Sequence, residues 1–163
     1  MQTISEEIVE RTWRKMAAMP SQDMPKLLEK MEKEQPEIMA FLMAIDHDML
    51  NQDERELLFY LGMVVWQIMR EGTPRPKRVS AQRLDELVVS TAKIVESFMT
   101  ESPGDFMAVM ARMFKDHHQI NVLRYIVEAL FELEADAERT EAREEMKGVV
   151  FKNLKIVLEA LDQ

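Results

Sequence analysis

The chain contains no cysteine, and it is poor in glycine and proline, with four and six of them in 163 residues. The absence of cysteine excludes disulfides, iron–sulfur clusters, thiolate zinc sites and cysteine nucleophiles together, and it fits a reducing compartment. The few glycines form neither a phosphate-binding loop nor the Gly-x-Ser-x-Gly turn of serine hydrolases. We therefore predict no catalytic residues and no cofactor, and the sequence favours a protein that is not an enzyme.

Positive charge is also scarce. Lysine and arginine number 21 against 30 aspartates and glutamates, which gives a formal net charge of −9 and a pI near 4.9. Nucleic-acid binding requires cationic side chains that replace the phosphate counterions, so this balance argues against a nucleic-acid partner. It also predicts repulsion from anionic membrane surfaces.

Long apolar runs are missing as well. The longest run, residues 57–69, is interrupted by Gly62 and Gln67 and is shorter than the roughly 20 residues that a bilayer-spanning helix needs. The first seven residues lack the charged-then-apolar order of a secretory signal. We expect a soluble, cytoplasmic protein with no membrane partner.

What the sequence has in abundance is apolar residues at helical spacing, within a composition that is 47% hydrophobic. This pattern predicts an all-α fold, a compact bundle of seven to eight helices in one domain over residues 1–163. The predicted helices span about 5–18, 24–34, 35–49, 52–71, 80–101, 106–117, 120–137 and 141–161.

Three of these helices carry recognisable start signals. Thr3 with Glu6 and Asn51 with Glu54 have the spacing of capping boxes, and Ser80 is placed to cap the fifth predicted helix. The fourth helix, with residues 57–69, is apolar nearly all round, which is typical of a central helix. We expect it to share the centre of the bundle with residues 122–133. The apolar stripe of the last helix should close the core or form a dimer seam.

Two stretches of the chain look alike. Residues 27–42 and 94–110 both contain an apolar helix, a proline turn and a second helix, at a spacing of about 66 to 70 residues. Two three-helix units related by an old internal duplication would explain this, with the proline-containing segment 72–79 as the joint between halves. The alternative is that any two amphipathic helical hairpins with a proline at the turn look alike, without a common origin.

All three histidines lie beside aspartates, in Asp46-His47-Asp48 and Asp116-His117-His118. Imidazole and carboxylate are the usual metal ligands where thiolate is absent, so His47, Asp116, His117 and His118 are candidates for one shared metal site. The alternative is structural, because a histidine interacts favourably with a helix C-terminus and aspartates stabilise turns.

A basic loop interrupts the acidic sequence. Arg75, Lys77 and Arg78 are candidates for contact with a phosphate, with RNA or with an acidic partner. The alternative is a loop whose charges serve solubility.

Methionine is the most unusual component, with fifteen residues. Met107, Met110 and Met113 recur at three-residue steps, and Met39 and Met43 are one helical turn apart. Methionine packs adaptably and suits surfaces that accept varied apolar partners. The leading hypothesis is a non-enzymatic protein–protein interaction or regulatory protein with a methionine-rich apolar groove and an acidic rim. Its partner is a second protein or, as a homodimer, another copy of the chain. The alternative is a core that is simply rich in methionine.

Overall fold

The computed structural model describes residues 1–74, 76–101, 112, 114–115, 117–132 and 144–163. For residues 97–101, 131, 132 and 144 only the backbone is described. Over these ranges the chain is helical or irregular and contains no strand, so the predicted all-α bundle is confirmed.

Seven α-helices lie in the described ranges. They are α1 (Glu6–Ala17), α2 (Met24–Glu34), α3 (Pro36–Ala44), α4 (Gln52–Glu71), α5 (Ala81–Glu101), α6 (Ile120–Glu132) and α7 (Lys147–Leu161). Short 3₁₀ turns, Ser21–Asp23 and Glu144–Met146, precede α2 and α7. Most of the predicted helix at 106–117 falls outside the described residues, and so do all of the predicted stretches 133–137 and 141–143.

The core forms around α4 and α7, which share the most extensive helix contact in the described chain. Leu58, Val65 and Trp66 of α4 are fully buried, and so are Leu154 and Val157 of α7. The prediction that residues 57–69 form a central helix is therefore confirmed. Residues 122, 123, 126 and 130 of α6 are also buried, whereas residue 133 lies outside the described ranges. The last helix does more than close the core, because its apolar residues are covered on several sides within the chain.

The helix starts follow local hydrogen-bond chemistry. Asn51 and Glu54 form the predicted reciprocal capping box at α4, and Ser80 Oγ accepts the Arg83 N–H at the start of α5. At α1 the predicted cap is wrong: Ser5 caps the helix by accepting the Ile8 N–H, and Thr3 instead donates to the carbonyl of His118.

Helix α3 ends five residues earlier than predicted. Asp46 has a φ of 52°, in the left-handed region, where aspartate is tolerated better than most residues but a helix cannot continue. Its carboxylate accepts a hydrogen bond from Asn153 of α7 at 2.9 Å and lies 3.5 Å from Lys152 Nζ. This contact between residues distant in sequence fixes the turn that follows α3.

A buried glutamine holds the chain that leads into α5. Gln35, which is 1% exposed, donates through Nε2 to the carbonyl of Lys77 and accepts the Val79 N–H at Oε1. The side-chain amide thus pairs with two backbone groups of an extended segment, as a neighbouring strand would. We call residues 77–80 together with Gln35 the Gln35 junction.

A second buried glutamine does the same for α1. Gln119, which is fully buried, donates through Nε2 to the carbonyl of Gln2 and accepts the Ile4 N–H at Oε1. Its Nε2 also donates to Asp162 at 2.9 Å. We call residues 2–5 together with Gln119 the Gln119 junction.

The two junctions continue alike into their helices. Val9, Thr12 and Met16 follow Ile4 by 5, 8 and 12 residues, and all three are buried. Leu84, Leu87 and Thr91 follow Val79 by the same steps and are buried too. Helix α1 packs on α4 and α6, while α5 packs on α7 and α3.

The spacing of the two junctions differs from that of the predicted repeat. Val79 follows Ile4 by 75 residues and Gln119 follows Gln35 by 84, whereas the sequence comparison gave 66 to 70. The internal duplication stays a prediction.

None of the helices in the described ranges combines the length and the apolar character that crossing a bilayer requires.

Candidate functional site

An open apolar groove lies between α2, α3 and α4. Its volume is about 420 Å³, within the range of about 300–1,000 Å³ that is usual for ligand pockets. It is lined by Met24, Leu28, Leu42, Met43, His47, Arg55, Glu56, Phe59, Tyr60 and Met63. We call this the methionine groove.

Helical periodicity brings the lining residues together. On α4, residues 55, 56, 59, 60 and 63 recur at one-turn and two-turn steps and therefore share one face. On α2, Met24 and Leu28 are one turn apart and form the opposite wall.

Gly62 lies against the end of the Leu42 side chain. A Cβ atom at this position would lie 2.5 Å from Leu42 Cδ1, so a larger residue would displace that side chain. The Leu42 side chain, which lines the groove, is therefore seated directly on the backbone of α4.

Methionine supplies three of the lining side chains, Met24, Met43 and Met63. Met43 is 62% exposed, which is high for a large apolar residue, whereas Met63 is 2% exposed and belongs to the core together with Met16, Met31 and Met69. Both interpretations of the methionine content thus describe part of the chain. The stripe Met107, Met110 and Met113 lies outside the described residues.

The polar groups of the groove are few and mixed in charge. Arg55 donates from Nη1 to the carbonyls of His47 and Leu50, so its guanidinium is partly engaged in holding the turn after α3. Glu56 accepts a hydrogen bond from Gln52 at 3.1 Å. Burial raises the pKa of the Tyr60 hydroxyl above its ordinary value of 10.0, so this group stays neutral. Among the described lining residues Glu56 is the one carboxylate, which differs from the acidic rim expected from the sequence.

The candidate metal ligands have separate surroundings. His47 Nδ1 lies 3.8 Å from Asp48, His117 Nε2 lies 3.5 Å from Glu159, and His118 Nδ1 lies 2.8 Å from Asp162. The turn that carries His47 contacts α7 at Lys152 and Asn153. Glu159, the partner of His117, lies six residues further along α7, which is about 9 Å at a rise of 1.5 Å per residue.

No group of three or more residues able to ligate a metal occurs within the described ranges, and Asp116 falls outside them. The metal site stays a prediction.

His117 and Glu159 belong to a partly buried charged cluster at the end of α7. Lys155, which is 5% exposed, donates to Glu159, and His117 Nδ1 accepts the Gln119 N–H at 3.0 Å. Burial tends to raise the pKa of the Glu159 carboxyl, but the hydrogen bonds and charges of His117 and Lys155 outweigh it and lower this pKa below 4.5. Through His117, the cluster contacts the backbone of Gln119 and thereby the Gln119 junction.

The basic loop takes part in the Gln35 junction. Lys77 contributes its carbonyl to Gln35, and Arg78 donates from Nη2 to the carbonyl of Lys33 at 2.9 Å, at the end of α2. Both side chains are exposed, and Arg75 lies outside the described residues. Phosphate or RNA contact at this loop stays a prediction.

Sequence reasoning missed most of the groove residues. Phe59, Tyr60 and Met63 fall within residues 57–69, which the sequence predicts to be central in the bundle. The available signal was that Arg55 and Glu56 share a helix face with Phe59 and Met63, since charged residues in line with apolar ones indicate a face that reaches solvent.

The arrangement can accept apolar side chains, with a neutral hydroxyl, one carboxylate and two nitrogen-bearing groups at its edge. The chain matches no protein-family model, no curated protein and no solved structure.

Proposed function

We propose that this protein is a non-enzymatic interaction protein whose methionine groove binds the apolar face of a cationic amphipathic helix from a partner protein. The observation that carries the proposal is the groove itself, with the exposed side chain of Met43 and the half-buried side chain of Met24. Thioether side chains adapt their shape at little cost, which suits a surface that receives a partner's apolar residues.

The shape favours a helix as the occupant. Three helices form the walls, and an amphipathic helix fills such a groove with anchors at positions i, i+3 or i+4, and i+7. The net charge of −9 favours a cationic partner and disfavours a second copy of this chain, because electrostatic complementarity accelerates encounter and like charges repel.

The test is a titration of protein labelled at its methionine methyl groups with three synthetic peptides. These are a leucine–lysine amphipathic helix, its leucine–glutamate counterpart and a scrambled leucine–lysine sequence that forms no apolar face. The expected result is that the cationic helix shifts the methyl signals of Met24 and Met43, which reach the surface, and leaves that of Met31 unchanged, because Met31 is fully buried and does not line the groove.

A matched pair of variants locates the binding surface. Met43→Gln should weaken binding by roughly tenfold, which corresponds to the loss of about 1.4 kcal/mol of apolar contact. Met49→Gln makes the same change at a residue that is 53% exposed but does not line the groove, and it should leave the affinity unchanged. Equal effects of the two substitutions, or shifts confined to methionines elsewhere, would contradict the proposal.

A further inference from the structure

A second pocket lies on another side of the molecule, between α1 and α6. Its volume is about 300 Å³, and in the described chain it is lined by Glu6, Val9, Glu10, Trp13, Asn121, Arg124, Tyr125 and Glu128. We call this the aromatic pocket. It shares no lining residue with the methionine groove, so an inference about it goes beyond the proposed function.

Two aromatic rings form one wall of the aromatic pocket. The ring centroids of Trp13 and Tyr125 are 6.3 Å apart with an angle of 18° between the planes, and both side chains are half-buried. The guanidinium of Arg14 lies over the Trp13 ring at 5.4 Å from the centroid. The electron-rich face of Trp13 therefore already attracts a cation from the same chain.

The charge of the aromatic pocket is negative. Three carboxylates and one guanidinium line it. Glu6 pairs with Arg124 at 2.7 Å and Glu10 pairs with Arg14 at 2.6 Å. Glu128 is exposed and has no hydrogen-bond or ion-pair partner within the part of the chain that the structure describes. Among the described residues, Glu128 is thus the carboxylate of the pocket that no other side chain engages.

The molecule contains an internal control for this pocket. Counted from the two junctions, Trp13 corresponds to Val88 of α5 and Tyr125 to Phe41 of α3. By the same count Arg124 and Glu128 correspond to Ala40 and Ala44. The α5 and α3 pair therefore makes its contact without the indole, the phenol, the guanidinium or a carboxylate at the position of Glu128.

We propose that the aromatic pocket binds an organic ammonium group. The faces of Trp13 and Tyr125 would attract the cation through their quadrupoles, and Glu128 would neutralise its charge. The ammonium group can belong to a small molecule such as choline or to a methylated lysine side chain of a partner protein, and the chemistry of recognition is the same for both.

The test uses the two indole N–H signals of the protein in ¹H–¹⁵N NMR spectra. Choline chloride is titrated at constant ionic strength against 3,3-dimethyl-1-butanol, its uncharged analogue of the same shape. Choline should shift the Trp13 signal to saturation, and the alcohol should not. Trp66 is fully buried and serves as the reference signal in the same spectrum.

A parallel titration distinguishes the two sources of the ammonium group. It compares a short peptide that contains trimethyl-lysine with the same peptide unmodified. Tighter binding of the modified peptide than of free choline assigns the site to a partner's side chain, and the reverse assigns it to a small molecule.

Variants then test the pocket against its counterpart. Glu128→Gln, at an exposed position that should not disturb folding, is expected to weaken choline binding at least about fivefold, and Tyr125→Leu more. Glu37→Gln and Phe41→Leu make the same changes on α3 and should leave the affinity unchanged. Shifts of Trp13 that are equal for choline and the alcohol, no shift with any of the probes, or full affinity in Glu128→Gln would overturn the proposal.

Discussion

At the Gln119 junction, α1 begins where a buried glutamine side chain holds residues 2–4, and at the Gln35 junction α5 begins in the same way at residues 77–79. The same two atoms of the glutamine side chain make the same two bonds, with an N–H of a buried apolar residue and a carbonyl two positions before it. The following residue is in both cases a serine that caps the helix.

The surroundings of the junctions differ. Gln119 has a third partner in Asp162 and follows His117 and His118, which pair with Glu159 of α7 and with Asp162 just after it. Within the described chain, the side chain of Gln35 bonds only to the backbone of residues 77 and 79. The Gln119 side chain thus has a carboxylate among its partners, whereas the Gln35 side chain has backbone groups alone.

The difference teaches which features the fold requires. Helices α1 and α5 bury the same three positions, and Ile38 and Leu42 of α3 correspond to the buried Val122 and Ile126 of α6. Only the α1 and α6 pair, however, carries an indole, a phenol and a guanidinium at its pocket positions. Helix packing is satisfied by the buried positions, and the solvent-facing positions are free to build a site.

The largest expected effect comes from replacing each glutamine by glutamate. Gln119→Glu removes the donor to the Gln2 carbonyl and places a carboxylate against Asp162, so we expect a loss of about 3–5 kcal/mol in the free energy of unfolding. Gln35→Glu removes one donor and faces only a carbonyl, and about 2–3 kcal/mol should be lost. Urea denaturation of the two variants measures the ranking, and a larger loss for Gln35→Glu would show that the Asp162 bond contributes little.

The next effect concerns how firmly the Gln119 junction holds Ile4. A Cβ atom on Gly72 would lie 2.5 Å from Ile4 Cγ1, and Ile4 is fixed by its bond to Gln119. We therefore expect Gly72→Ala to lower the free energy of unfolding by about 1–3 kcal/mol through overpacking.

Gly62→Ala is the control for this substitution. It meets the end of the Leu42 side chain, which can turn toward the open groove, and the gain in helix propensity of about 1 kcal/mol offsets the displacement. Its stability should change little, while peptide binding at the methionine groove weakens. Equal destabilisation by both alanines would indicate that Leu42 is held as firmly as Ile4.

Lowering the pH should destabilise the Gln119 junction before the Gln35 junction. The folded-state pKa of Glu159 is lowered, so its ionised form contributes stability that is present above its ordinary pKa of 4.5 and is lost as the pH falls through the folded-state value. Between about pH 6 and pH 3 the wild type should lose more stability than Glu159→Gln. Hydrogen exchange should show the amide of Ile4 losing protection before that of Val79, and simultaneous loss would contradict this order.

The smallest expected effect is the loss of a serine cap, and we expect the loss to be equal at α1 and at α5. Ser5 Oγ accepts the Ile8 N–H at 3.3 Å and Ser80 Oγ accepts the Arg83 N–H at 3.1 Å, and both serines are exposed. Ser5→Ala and Ser80→Ala should each lower the melting temperature by an amount equivalent to about 1 kcal/mol. A difference between them greater than about half of that would mean that the caps, unlike the glutamine bonds, are not equivalent.

Much of the fold could be predicted because it depends on neighbours along the chain. The bounds of α2 and α4 agree with the periodicity, and the capping box at Asn51 was readable from spacing alone. The end of α3 was not readable, because a bond between Asp46 and Asn153 fixes that turn and the two residues are 107 positions apart. For the same reason the cap at Thr3 was wrong, since Thr3 is engaged by the carbonyl of His118.

The sequence predicted the kind of site, an apolar groove, but not the residues that line it. Methionine content favoured an apolar groove, yet Met24 and Met63 were not singled out, because the wall that each forms exists only once α2 and α4 lie side by side. Trp13 and Tyr125 are 112 residues apart, and no local pattern predicts their stacking.

By itself the sequence determined the helical class, the helix starts capped by Asn51 and Ser80, and the chemistries that a chain without cysteine cannot perform. Only the tertiary structure decided that Gln35 and Gln119 are buried and paired with distant backbone, and which side chains face the two pockets. The physical reason is the range of the interactions. A helix forms through bonds to the fourth residue along the chain, whereas a buried amide and a pocket need partners that packing alone brings together.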